Sequence, residues 1–177
     1  MTVKRYGELH ETAQIILQEA RDLFYEKGYE KASMREIAER VGISKAAMYH
    51  HFYNKEEILY TSCVQVGERI DEIMHDAIHR NLYSKASAKE QLIDILYEYT
   101  TNFLDIKNYI KVLLYDMESL PNDKKEVVLD YQRRNMYRLR NHLQDLMQKG
   151  EIRECNLTVL TFSLYSAVHW LYFWFDP

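Results

Sequence analysis

Glycine and proline are scarce: five and two in 177 residues. That poverty in turn residues argues against an all-β fold, which needs frequent tight turns, while 47% apolar residues argues against disorder. Cysteine is equally sparse. Cys63 and Cys155 are far apart, and the opening MTVKRYGELHETAQ lacks the apolar core of a secretory leader, so both read as reduced cytoplasmic thiols. An excess of positive charge is also missing. The formal net charge of −4 speaks against wholesale coating of nucleic acid, so any anion binding must be local. What remains is an all-α chain, long enough for one good-sized domain or a small domain joined to a larger one.

Apolar residues at Ala13, Ile16, Leu17, Ala20, Leu23 and Phe24 follow one helical face, and Gly28 supplies the stop. Ser33-Met-Arg-Glu36 has the form of a capping box and opens a short helix ending at Gly42. Ser44 caps a third helix in which Met48 and Phe52, one turn apart, face inward. Asn54-Lys-Glu-Glu57 starts a long helix to about His79. Beyond weaker punctuation at Tyr83 to Ser87, helices are expected over Leu92–Leu104, Tyr109–Leu120 and Asp123–Lys149, with a last one capped by Asn156.

Two short helices joined by a glycine turn and braced by a third form a helix-turn-helix, whose second helix enters the DNA major groove. The stretch SKAAMYHHF then makes sense. Ala46 and Ala47 let the backbone approach base edges, while Lys45, Tyr49 and His51 suit phosphates. Between Lys31 and Lys55 five cations face two anions, a local net of +3 in an acidic chain.

Residues 10 to 60 resemble the amino-terminal domain of the tetracycline-repressor (TetR) family: the run FYEKGYEKASMREIAERVGISKAAMYHHFYNKEEIL follows the family pattern throughout. The resemblance implies an all-helical protein with a three-helix DNA-binding domain at 1–54 and an effector-binding and dimerisation domain at 55–177. It implies DNA contacts from Ser33 and Arg35 on the second helix, from Lys45, Ala46, Ala47, Tyr49, His50 and His51 on the third, and from Lys55 at the start of the fourth. The family commonly has a hydroxyl residue where Ala47 stands, and its loss removes one contact.

Alternative chemistry fares worse. Adjacent His50 and His51 point about 100° apart on a helix and cannot share a metal. His75 and His79, at i and i+4, are the better metal candidates, though a weak pair without enough further ligands. No nucleophile, base and orienting group form a constellation, so no enzyme and no cofactor are expected.

The carboxy-terminal part is dense in Tyr and Phe. Most of these rings belong to a helical core, yet amphipathic rings can also line a cavity for an apolar ligand. The resemblance implies such an effector pocket, and the candidate contacts are Phe103, Tyr109, Tyr115, Tyr131, Arg134, Tyr137, Arg138, Phe162, Tyr165 and His169. The segments QKGEIRE and HWLYFWFDP resemble the subgroup responding to acyl-coenzyme A thioesters, for which arginines at 133, 134, 138 and 140 could meet phosphates. A multidrug sensor, with rings stacking on cationic drugs, and a helical ligand- or metal-binding protein without DNA binding are the alternatives.

LTVLTFSLYSAVHWLYFWF, from Leu157 to Phe175, carries no Asp, Glu, Lys or Arg. Its Thr, Ser and His side chains would be costly in lipid, so a helix buried on nearly all sides and a subunit interface are expected rather than a membrane span. The family pairs through its last two helices, which implies a homodimer through the C-terminal helices, and the second of these would be expected to follow Asp176-Pro177.

Overall fold

The computed structural model describes residues 11–106, 109–110, 112 and 115–174, the side chains of 103–105 and 171–174 excepted. Among them are seven α-helices, one 3-10 turn and no strand: α1 (Glu11–Lys27), α2 (Met34–Val41), α3 (Lys45–His51), α4 (Lys55–Leu82), α5 (Ala88–Asp105), the 3-10 turn Asp116–Ser119, α6 (Asn122–Gln148) and α7 (Leu157–Trp174).

Contacts divide the chain into two compact units, Met1–Gly67 with Asn108–Leu129, and Glu68–Lys107 with Asp130–Pro177. In the first, Ile16, Leu17, Ala20 and Phe24 of α1, Ile37 of α2, Met48 of α3, Phe52, and Ile58 and Leu59 of α4 are buried apolar groups. The segment after residue 108 adds buried Ile110, Val112, Met117 and Leu120. Several polar contacts bind it to the rest of the unit. The Arg21 guanidinium lies 4.4 Å from the Tyr109 ring centre, Lys124 pairs with Glu56, and the Ser119 hydroxyl donates to Glu30 at 3.4 Å. Burial pushes the Cys63 thiol up to about 12, which leaves it inert.

In the second unit Ile70, Ile73, Met74 and Ala77 of α4, Ile95 and Tyr99 of α5, Leu139, Leu143 and Leu146 of α6, and Leu157, Tyr165 and Val168 of α7 are buried. Helix α5 packs on α7. Arg138 donates to Asp71 from Nε at 2.9 Å and Nη2 at 3.2 Å, and the Tyr131 hydroxyl donates to Glu68 at 3.0 Å.

Three expectations differ in detail. Helix α5 begins at Ala88, four residues early, because Ser87 and Glu90 form their own capping box: the Ser87 N–H donates to Glu90 at 2.9 Å and the Glu90 N–H to Ser87 Oγ at 3.4 Å. The helix expected to run to Leu120 tightens into the 3-10 turn at Asp116. Helix α7 is not buried on all sides. Leu157, Thr161, Tyr165 and Val168 form its inner stripe, while Val159, Phe162, Ser163, Ser166, Ala167 and Trp170 are exposed, Trp170 by 62%. Low charge marks a helix that avoids water without saying what covers it.

Buried His142 and half-buried His169 make the fold sensitive to acid. His142 is 4% exposed, and neither ring nitrogen has a hydrogen-bond partner among the described residues. Burial lowers the pKa of both rings, so each stays neutral in the fold. The unfolded chain takes up these protons at about pH 6.5 and below, whereas the folded chain does so only at lower pH. Stability is therefore complete above pH 6.5 and falls below it, by at most about 1.4 kcal/mol per pH unit for each histidine. Urea titrations between pH 8 and 5 should show this decline, and His142→Phe should make it shallower. The Glu36 carboxyl, held down at about 2 by Lys27 and Ser33, loses its contribution only in the more acidic range below about 4.5.

Candidate functional site

The α2–α3 module is assembled from local signals. The Ser33 hydroxyl accepts the Glu36 N–H at 3.3 Å, and the Glu36 carboxylate accepts the Ser33 N–H at 3.0 Å. Gly42 ends α2 at φ 75°, a left-handed position where a Cβ is strained, and the Ile43 N–H reaches back to the Ala38 carbonyl at 3.0 Å. Ser44 starts α3 by accepting the Ala47 N–H at 3.1 Å. Asn54 does the same for α4, accepting the Glu57 N–H at 2.8 Å.

These caps fix which face of α3 is free. Met48 is 0% and Phe52 3% exposed, while Lys45, Ala46, Tyr49 and His50 project outward, Tyr49 by 46%. Ala47 and His51 are half-buried at the edge. The Lys45 ammonium lies 5.8 Å from the Tyr49 ring centre, which sets cation and phenol side by side. The His50 and His51 rings meet edge to face at 5.5 Å.

The local positive charge is less free than the sequence implies. Arg35 donates to Glu39 at 2.7 Å, Arg40 pairs with Glu26 and Lys27 with Glu36. The Ser33 hydroxyl is engaged in its cap. Lys55 is turned inward: its ammonium donates to the carbonyls of Tyr29 at 2.8 Å, Ala32 at 3.0 Å and Glu30 at 3.4 Å, and sits 4.2 Å from the Tyr29 ring centre. Lys55 thus holds the α1–α2 turn. Lys31 and Lys45 are the exposed cations of this stretch without a carboxylate partner among the described residues.

The chain matches two family models: the model described as bacterial regulatory proteins, tetR family, over residues 16–60, and the tetracyclin repressor-like C-terminal domain over residues 85–177, more than half of the chain. The chain belongs to the TetR family of bacterial regulatory proteins. Similar proteins include the transcriptional repressor AcnR of Corynebacterium diphtheriae, 38% identical over 42% of this chain and 39% of AcnR. The chain spans less than two thirds of the length of curated relatives that it matches. Among solved structures, the regulator PfmR of Thermus thermophilus superimposes with a TM-score of 0.82 at 30% identity, covering 92% of this chain and 86% of PfmR. AibR, solved with isovaleryl coenzyme A and operator DNA, gives a TM-score of 0.78 at 26% identity, covering 94% and 89%.

The candidate effector contacts of this TetR-family chain are scattered. The Phe103 side chain lies outside the described residues. Tyr109, half-buried under Arg21, and exposed Tyr115 belong to the first unit. In the second, the Arg134 guanidinium lies 4.2 Å from the Tyr131 ring centre, Arg138 is held by Asp71, and Tyr137 and Phe162 are exposed. Tyr165 and His169 come together, their ring centres 5.8 Å apart, with Tyr99 as the third member. Tyr99 stands edge-on to Tyr165 at 5.4 Å, and its hydroxyl lies 3.1 Å from His169 Nε2. Tyr99 is not among the residues that the sequence singles out. Its partners are 66 and 70 residues away, and no local pattern announces them.

His75 and His79 stack at 5.8 Å, and His75 Nδ1 lies 3.1 Å from Asp76. No group of three or more His, Cys, Asp or Glu suited to a metal ion occurs among the described residues, and no helix there is long and apolar enough to cross a membrane.

Proposed function

We propose that this protein is a transcriptional repressor that binds a palindromic operator as a homodimer and releases it when a small apolar effector occupies the carboxy-terminal unit. The observation that carries this reading is the outward face of α3, with Lys45, Ala46, Tyr49 and His50 presented on a helix anchored by Met48 and Phe52. Phosphates take Lys45 and Tyr49, which orient the helix, and base edges take the small Ala46 and His50. Arg35 can leave Glu39 for a phosphate at little cost, since exposed ion pairs contribute about 0–1 kcal/mol. Lys55 acts by shaping the turn rather than by touching DNA.

The exposed face of α7, apolar at Val159, Phe162 and Trp170 and small between them, supports pairing with a second copy. Two recognition helices then read half-sites about 34–36 Å apart. An operator partner places the work of the protein in the cytoplasm. AibR's complex with isovaleryl coenzyme A supports a coenzyme A thioester as effector.

Selection of bound duplexes from a randomised library tests the reading. An inverted repeat with half-site centres about 10 base pairs apart, carrying two protomers, is the expected result. Absence of enrichment would overturn it. Isovaleryl or decanoyl coenzyme A should lower operator affinity at least ~10-fold, within the range of coupling energies between sites.

A further inference from the structure

The Tyr99–Tyr165–His169 cluster is polar chemistry set in an apolar interior. Tyr99 is 3% and Tyr165 7% exposed. Tyr99 and His169 satisfy each other, but the Tyr165 hydroxyl is buried with no hydrogen-bond partner among the described residues. Such a hydroxyl is costly unless something else in the working molecule bonds it. Asn135 Oδ1 and the His142 ring nitrogens are unpaired in the same unit, so its interior holds unused hydrogen-bonding capacity.

The charge state of the cluster limits what it can bind. Burial raises both tyrosine pKa values and lowers that of His169, so all three groups are neutral near pH 7. Asp71 acts on Tyr165 as a negative charge, and the Arg138 that could offset an anion is already held by Asp71 through two hydrogen bonds. A ligand carboxylate here would lose water and meet an Arg138 already paired with Asp71.

We propose that Tyr165, braced by the Tyr99–His169 pair, is the polar contact of the effector site and selects an uncharged oxygen, a carbonyl or hydroxyl, on an apolar body. This rests on the effector-responsive reading above and narrows its ligand class. The neutral oxygen has two sources: the thioester carbonyl of an acyl-coenzyme A, or a free ester or alcohol. Free fatty or aromatic acids are excluded.

The test measures Tm shifts of the full chain with two probe series, decyl and 2-naphthyl, each as alcohol, methyl ester and carboxylate, together with decanoyl coenzyme A. Alcohols or esters should raise the wild-type Tm and carboxylates should not. A shift with decanoyl coenzyme A alone would assign the carbonyl to a thioester, and shifts with the free esters or alcohols would assign it to those. Tyr165→Phe should keep or raise the unliganded Tm while weakening the neutral probes at least ~10-fold, as expected when a buried hydrogen bond is removed from ligand but not from the fold. Carboxylates binding best, no probe shifting the Tm, unchanged affinity in the variant, or a lower unliganded Tm in the variant would each overturn the proposal. Because the charge preference is read on the wild type, it does not depend on the variant folding. Operator binding, measured on the same unliganded preparation, separates the two failures: if it persists while the probes fail, only the ligand assignment falls.

Discussion

Raising salt from 50 to 200 mM weakens operator binding by about 10³-fold, the result expected when a dimer neutralises about six phosphates. Two variants on the exposed face of α3 then separate the contributions. Lys45→Ala removes one cation per protomer, and the slope of log affinity against log salt becomes shallower by about 2. Tyr49→Ala removes a neutral donor: affinity falls by roughly 10²–10⁴-fold, from two lost hydrogen bonds to charged phosphate at about 1.5–3 kcal/mol each, while the salt slope stays where it was. Both losses should be nearly uniform across operator sequences, since phosphate contacts do not read bases. Flat salt dependence, or an unchanged affinity in both variants, would remove the DNA-binding reading. Lys55→Ala is a poorer probe, because it strips three carbonyls of their donor and disturbs the α1–α2 turn.

One residue before Tyr49, the same kind of substitution has the opposite character. Met48 is 0% exposed at the centre of a small three-helix core. Met48→Ala should cost about 2–5 kcal/mol, the range for truncating a buried Met or Leu, and lower the Tm by roughly 5–15 °C. Thermal melts of Met48→Ala and Tyr49→Ala side by side test the orientation of α3: the first variant loses stability and operator binding together, the second loses operator binding alone. Equal melting of the two would mean that the helix presents a different face.

The contrast shows what could be read from sequence. Signals within three or four residues were legible: the Ser33–Glu36 box, the Gly42 stop, and the Ser44 and Asn54 caps all act through backbone groups of their own turn. The Ser87–Glu90 box has the same spacing, yet the surrounding run of small and polar residues reads as loop, so periodicity alone puts the start of α5 four residues late. Charge was legible as a sum and not as a distribution, because Glu26 neutralises Arg40 from 14 residues away and the Lys55 carbonyl partners lie 23 to 26 residues back. The effector contacts were least legible. A tyrosine looks the same in sequence whether it is exposed, like Tyr137, or buried against distant rings, like Tyr165, since packing between remote helices decides.

The first unit is discontinuous along the chain, with residues 68–107 intervening before the segment that completes it. During translation, at ~5–20 residues per second, the ribosome needs about 2–8 s to make that stretch. For this interval α1 to α3 exist without Tyr109, Ile110 and Met117, and Arg21 waits for its aromatic partner. On the proposed reading, the helix that reads DNA goes without the Arg21–Tyr109 contact in its unit until part of the second unit has been synthesised, and residues 1–54 cut out as a portable module would lack that contact in any fusion.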